Sequence, residues 1–295
     1  MTNAEPTKKA RRDAAREHAR EAREIAAKKR KRNKLFAQGG VLLGVLALAG
    51  VVVLVVSSLN APAAPGPLNM ASDGIVLDGD GTTMGYVATD AVAADGDPVA
   101  STAPAAGDPV AIVMYVDYQC PYCAQFETTN ASQIEQWVTA GMATVEIHPI
   151  ANLDSQSLGT RYSSRSANAA ACVANFEPEQ FWAVNSAFYA NQPEEQTSGL
   201  DTAAIKTLVA DAGASSQEVS DCIGSETFKS WVTDATLRTR SAIPNSDLTS
   251  VEGTPTVLVN GQQYVGELTD ADAFTAFVTA IATADTGTST ETPTE

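Results

Sequence analysis

Hydrophobic and polar positions divide this chain into three regimes. Residues 8–32 (KKARRDAAREHAREAREIAAKKRKR) place charges at helical spacing, Glu24 and Lys28 among them, with Ile25 as the only large apolar side chain. A helix there has no face to bury, so it is expected to lie solvated or against lipid headgroups. Residues 35–59 (LFAQGGVLLGVLALAGVVVLVVSSL) carry no charge, and the 18 residues from Gly39 to Val56 lack any strongly polar side chain. As a helix, residues 35–56 would span roughly 33 Å, enough to cross the hydrocarbon of a bilayer.

Beyond residue 59 short apolar runs alternate with turn signals. Residues 60–67 (NAPAAPGP) read as an extended spacer, and 88–109 as a second stretch rich in Ala, Gly, Asp and Pro. Between them, GIVL at 74–77 followed by DGDG predicts a short strand and a turn. VAIVMYV at 110–116 is a continuous β-branched run of the kind that makes a strand buried on both faces. A helix is expected over 120–140, ended by Gly141, then a strand over 143–150. Residues 157–243 turn helical, with candidates at 161–176, 179–190, 202–212 (Asp201 as N-cap), 216–223 and 226–242. TVLVN at 256–260, an Asn260-Gly261 turn and residues 263–265 predict a hairpin. An amphipathic helix over 270–284 precedes a polar tail expected to be disordered.

Charge sets the orientation of this arrangement. Residues 1–34 hold 13 of the 19 Lys and Arg against 5 acids, a charge of +8, which leaves −24 for the rest of a chain whose net charge is −16. Basic residues before the apolar run and almost none after it place residues 1–34 in the cytoplasm and the remainder outside. A cleaved signal peptide competes with an anchor, since Ala61-Pro62-Ala63 loosely resembles a cleavage site. The apolar run exceeds the usual 7–15 residues of a signal core, and a long basic region precedes it, which favours the anchor. Either way the cysteines meet oxidising conditions. The acidic balance disfavours nucleic acid as a partner.

Four cysteines carry the candidate chemistry. Cys120 and Cys123 stand in VDYQCPYCAQFE, after the apolar strand and at the start of a helix. First-turn N–H groups and the helix dipole stabilise a thiolate on the first sulfur, making Cys120 the nucleophile. Cys123, one turn further in, is then the resolving thiol. Pro121 suits the first helical position, and the Pro121-Tyr122 pair tunes the redox poise. Structural zinc would need two more ligands from Cys172, Cys222 and His148, none in a second close pair. A purely structural disulfide would close a loop too small to restrain much entropy. A redox-inert binding module on the same fold stays open. VEGTPT at 251–256 adds a Thr-Pro just before a strand, where a cis peptide at Thr254-Pro255 is accessible.

VMYVDYQCPYCAQFE, HPIANLD, YSSRSANAAACVA and VEGTPTVLVNG together resemble a DsbA-like thioredoxin-fold thiol:disulfide oxidoreductase of the membrane-anchored actinobacterial type. The resemblance implies an α/β thioredoxin fold with an inserted all-helical domain, here preceded by a single transmembrane helix. Residues 1–34 would be a basic cytoplasmic segment, 35–59 the membrane helix and 60–109 a linker with a short strand. The fold's two parts would be 110–156 and 244–284, with the helical insertion at 157–243 and a disordered tail at 285–295. In the family, the residues matching Thr254 and Pro255 pack against the active-site cysteines, and the Thr254 backbone would pair with a substrate chain. The implied activity needs no cofactor. It oxidises reduced, newly exported proteins and is recharged by a membrane reoxidase of the DsbB or vitamin K epoxide reductase type. A reductase or isomerase of the same fold is the alternative.

One departure concerns protons. Many thioredoxin-fold enzymes carry a buried acid six residues before the first cysteine, where this chain has Met114; the nearest acids are Asp117 and Glu127. Cys172 and Cys222, fifty residues apart in the helical stretch, are left as partners for a structural disulfide, which the resemblance supports; two buried free thiols are the alternative. His148 reads as a partly buried strand-end residue, and Trp137, Trp182, Phe181, Phe188, Tyr189 and Trp231 as mostly core.

Overall fold

The computed structural model describes residues 64–287 except Asp95 and Ala242, together with Glu17, Arg20, Glu21, Arg23, Lys28 and Lys29, which are helical and exposed. The expected membrane helix at 35–59 lies outside the described residues, as does the tail expected at 285–295 from residue 288 onward; residues 285–287 continue the last helix instead. Among the described residues, no helix is long and apolar enough to cross a membrane.

Six strands form one mixed sheet: β1 (Ile75–Gly79), β2 (Met84–Tyr86), β3 (Val110–Val116), β4 (Ala143–Pro149), β5 (Thr256–Val259) and β6 (Gln262–Gln263), in the order β2-β1-β4-β3-β5-β6. β3 and β4 run parallel, from Val110 opposite Ala143 to Val116 opposite Pro149. The crossover between them is α1 (Pro121–Thr139), as a parallel pair requires. Every other pairing is antiparallel.

The segment before residue 110 is more than a spacer. β1 pairs with β4, Ile75 opposite Ile147, and β2 closes that edge. Sequence reading misses β2, which has three residues with Gly85 in the middle and no alternation to detect. Ahead of β1, Asp73 accepts from both Nε and Nη2 of Arg238, at 2.5 and 2.7 Å, and from Trp231 Nε1 at 3.1 Å. Asn69 donates to the Ala174 carbonyl at 2.8 Å.

The main core lies on the sheet face lined by Ile112, Met114, Val116, Val145 and Ile147, under Phe126, Ile134 and Val138 of α1. There α7 (Ala271–Gly287) joins α1 through an edge contact of Phe274 on Phe126, ring centroids 5.1 Å apart. A smaller cluster of Tyr115, Ile150, Ile243, Val251 and Leu258 fills the other face.

Between β4 and β5 comes the helical block: α2 (Tyr162–Phe176), α3 (Phe181–Ala190), α4 (Thr202–Asp211), α5 (Gln217–Ser225) and α6 (Lys229–Arg238). Asp201 caps α4 by accepting from Ala204 N, and Ser216 caps α5 by accepting from Val219 N. The helix expected over 226–242 is shorter at both ends. Glu226 sits at φ 50°, the left-handed cap that ends α5, and the chain re-enters helix only at Lys229. The stretch from 179 likewise opens as one 3-10 turn at Pro178–Gln180 before α3 begins. Cys172 of α2 and Cys222 of α5 form a disulfide with Cα atoms 5.8 Å apart. Both cysteines are therefore committed to each other and unavailable to a zinc site.

Candidate active site: a dithiol facing a cis-proline loop

β3 delivers the chain to the site and α1 carries it away. Asp117 turns the corner: its carbonyl accepts from Cys120 N at 3.0 Å, and its carboxylate accepts from Gln119 N and Leu153 N, both at 2.9 Å. The carboxylate thus ties the cysteine loop to the loop after β4. Gln192 fixes the other side, donating to the carbonyls of Tyr118 and Cys120 at 3.1 and 3.0 Å. Neither clamp is legible in local sequence, because the first closes only when the loop after β4 meets the cysteine loop and the second only when the helical block folds back on it.

Cys120 occupies the N-cap of α1 and Pro121 its first turn. Both cysteines are buried free thiols, while Tyr122 between them is 61% exposed and offers the only large apolar surface of the motif. The Thr254-Pro255 peptide is cis, and the Cys120 thiol donates to the Thr254 carbonyl at 3.0 Å. The structure therefore brings together Cys120, Pro121, Cys123, Thr254 and Pro255 as the sequence predicts, across 134 residues of chain.

Electrostatics separate the two sulfurs. A hydrogen bond from the Cys123 thiol holds Cys120 down to about 6, against burial and with help from the Thr254 side chain and the N–H groups of Cys123 and Tyr122. Burial pushes Cys123 well above its ordinary value, and its interaction with Cys120 adds to that. No Lys or Arg occurs in residues 110–156 or 244–284. Hydrogen-bond donors stabilise the thiolate.

Two buried acids stand behind the pair, and burial raises both: Asp117 to about 6 and Glu127 to about 7. Met114 is buried in the core and carries no charge, so the position six residues before Cys120 contributes only packing. His148 lies on the other sheet face, where it pairs with Glu146 at 3.0 Å and stacks on Tyr115 with centroids 4.4 Å apart. It takes no part in the dithiol's surroundings, in keeping with a strand-end residue.

A thiol pair at a helix start, facing a cis-proline loop and set in a mixed sheet with helices inserted before the last hairpin, defines a DsbA-like thioredoxin fold. A family model described as thioredoxin matches residues 101–280, and the chain belongs to that family. Among solved structures it is similar to DsbA of Mycobacterium tuberculosis, with 25% identity and a TM-score of 0.54 over 74% of this chain and all of that one. It is also similar to the disulfide bond oxidoreductase DsbG of the same organism, with 27% identity and a TM-score of 0.50 over 62% of this chain and 86% of that one. Among curated proteins it matches the Na(+)/H(+) antiporter NhaA 3 of Salinispora tropica, 27% identical over 58% of this chain and 24% of that protein. The chain spans about a quarter of the length of the curated relatives it matches.

Proposed function

We propose that this chain is an anchored extracytoplasmic thiol oxidase that introduces disulfides into reduced, exported proteins through Cys120 and Cys123. The carrying observation is the geometry of Cys120, at the N-cap of α1 with its sulfur 3.0 Å from the Thr254 carbonyl of the cis-proline loop, where first-turn N–H groups stabilise a thiolate. Whatever stabilises the thiolate favours the reduced form, and a favoured reduced form makes the disulfide a stronger oxidant. In the reaction, a substrate thiolate attacks Cys120 of the oxidised pair, Cys123 leaves, and a mixed disulfide forms. A second substrate thiolate then attacks the substrate sulfur, releasing Cys120 and a substrate disulfide. Two electrons pass from substrate to enzyme, and a membrane reoxidase of the DsbB or vitamin K epoxide reductase type removes them.

Pro121 and Tyr122 shape the pair's surroundings, Thr254 offers backbone to an extended substrate segment, and Pro255 holds that loop against the sulfurs. The location is supported by the uncharged run at 35–59 behind a basic segment, and by the Cys172–Cys222 disulfide, which suits an oxidising compartment. Equilibration of the couple with glutathione, with oxidation of a reduced unfolded protein, tests the direction. A potential well above the roughly −270 mV of thioredoxin is expected; one at or below that value would make the chain a reductase.

A further inference from the structure

Tyr118 and Cys120 turn their carbonyls toward the helical block, and one side chain takes both. Gln192 Nε2 donates to the Tyr118 carbonyl at 3.1 Å and to the Cys120 carbonyl at 3.0 Å, across 74 and 72 residues of chain. A primary amide has two N–H hydrogens, so these bonds use its whole donor capacity. Gln192 is itself held in place at the end of α3. Its backbone N–H donates to the Tyr189 carbonyl at 3.3 Å, while Asn191 donates to the Ala187 carbonyl from its backbone at 3.1 Å and from its side chain at 2.9 Å. The same helix grips Tyr118: Asn185 Oδ1 accepts from its hydroxyl at 3.1 Å, and the Phe188 ring lies with its centroid 4.5 Å from the Tyr118 ring. The cysteine loop is thus docked on α3, and Gln192 closes the contact nearest the sulfur.

We propose that Gln192 is a positioning residue for the dithiol: by holding the carbonyls of Tyr118 and Cys120 it stabilises the Cys120 thiolate and makes the oxidising strength of the couple depend on the inserted helical block. This rests on the oxidoreductase reading of the dithiol and adds what sets its poise. A carbonyl oxygen carries partial negative charge, and the one on Cys120 belongs to the residue whose sulfur must hold a full negative charge. Donation from Gln192 draws that partial charge away and brings amide hydrogens of positive partial charge beside it. In the disulfide the sulfur is uncharged and gains nothing. The donor therefore favours the reduced form over the oxidised one.

The surrounding elements carry thiol and acid groups: Cys123 and Glu127 on α1, Asp117 before it, exposed Glu194 and Glu195 just beyond Gln192, and exposed Glu252 two residues before Thr254. None of these adds positive charge beside the sulfur. A neutral donor that is fixed in advance by its own helix end suits that setting, because it costs little reorganisation when the thiolate forms.

The test is the equilibrium of the full chain with glutathione at pH 8, in which two glutathione thiols reduce the enzyme disulfide and leave as glutathione disulfide, together with iodoacetamide alkylation of the reduced chain across pH. Gln192→Met keeps the length of the side chain and removes the donor; Gln192→Ala removes both. Each variant is expected to raise the pH midpoint of Cys120 alkylation by about half a unit to one unit, the worth of a neutral hydrogen bond, and to make the reduced form about threefold to tenfold less favoured. A Gln192→Met chain that behaves as the wild type would mean that packing alone matters, and it overturns the proposal, as do wild-type midpoints in both variants. Should both fold poorly, nuclear magnetic resonance of the wild type decides. The Gln192 side-chain amide signals are expected to shift with the Cys120 midpoint in the reduced chain and to hold still in the oxidised one; signals indifferent to that ionisation overturn the proposal. A wild-type disulfide that never equilibrates with glutathione would instead sink the oxidoreductase reading itself.

Discussion

Cys120 and Cys123 stand at the first turn of α1, three residues apart, with the Thr254 carbonyl against the first sulfur. Cys172 and Cys222 stand inside α2 and α5, fifty residues apart, the former within a fully buried run of Ala169, Ala170, Ala171 and Val173. Exposure does not separate the pairs: 4% and 2% for the first, 0% and 4% for the second. What separates them is the backbone around the sulfur. A cysteine at a helix start meets free N–H groups that welcome charge, whereas one in mid-helix meets N–H groups already spent on carbonyls. Reactivity here is a property of position on a helix, and burial alone would rank these sulfurs as equals.

Cys120→Ser should break the comparison most severely, reducing oxidation of an unfolded substrate below detection while leaving the melting temperature of the reduced protein near that of the wild type at about pH 5, where the Cys120 thiol is neutral. Replacing Cys172 and Cys222 together by Ala should do the reverse. Urea denaturation should show a loss of up to about 4 kcal/mol for a fifty-residue loop, with alkylation of Cys120 at an unchanged rate in the folded protein.

A pH series sharpens the contrast within the active pair. Iodoacetamide should modify Cys120 with a rate that climbs through about pH 6 and then levels, and should leave Cys123 untouched at neutral pH. The folded-state value of Cys120 lies below that of an unfolded cysteine, about 8.5. Its contribution to the stability of the reduced protein is therefore complete above pH 8.5 and is lost as pH falls through about 6. Denaturant midpoints of the reduced chain across that window check the sign. Thr254→Val should raise the alkylation midpoint by about one unit, the worth of one hydrogen bond to a charged group. Smallest of all, Asp201→Ala should cost about 1 kcal/mol by uncapping α4, with no change in thiol chemistry.

The same contrast divides what sequence could reveal from what it could not. The Cys-x-x-Cys at a helix start, the Thr-Pro before β5, the Asp201 cap and the pairing of the remaining two cysteines are visible because each rests on a local rule or on elimination. The partnership of β1 with β4 is not, since nothing in IVLDG names a strand seventy residues away. The gap between α5 and α6 turns on one residue at positive φ, Glu226, whose side chain gives no warning. Around the dithiol, Asp117 and Glu127 are visible as acids, but their roles depend on partners from the loop after β4 and from α3. Ser163, Ser166 and Asn168 are as buried as the alanines beside them, an inversion of the usual hydropathy pattern that only the packing of α2 explains.

The sheet order also imposes a timetable. β3, the strand that leads to the dithiol, lies between β4 and β5, and its contacts with β5 join residues such as Ile112 and Val259. As the chain is synthesised, the helices of the insert can form from local contacts, whereas β3 keeps one edge unpaired until its last neighbour emerges. An incomplete chain thus presents Cys120 before the Thr254 carbonyl exists to meet it. Until β5 is in place, the Cys120 sulfur lacks the carbonyl that meets it in the folded chain.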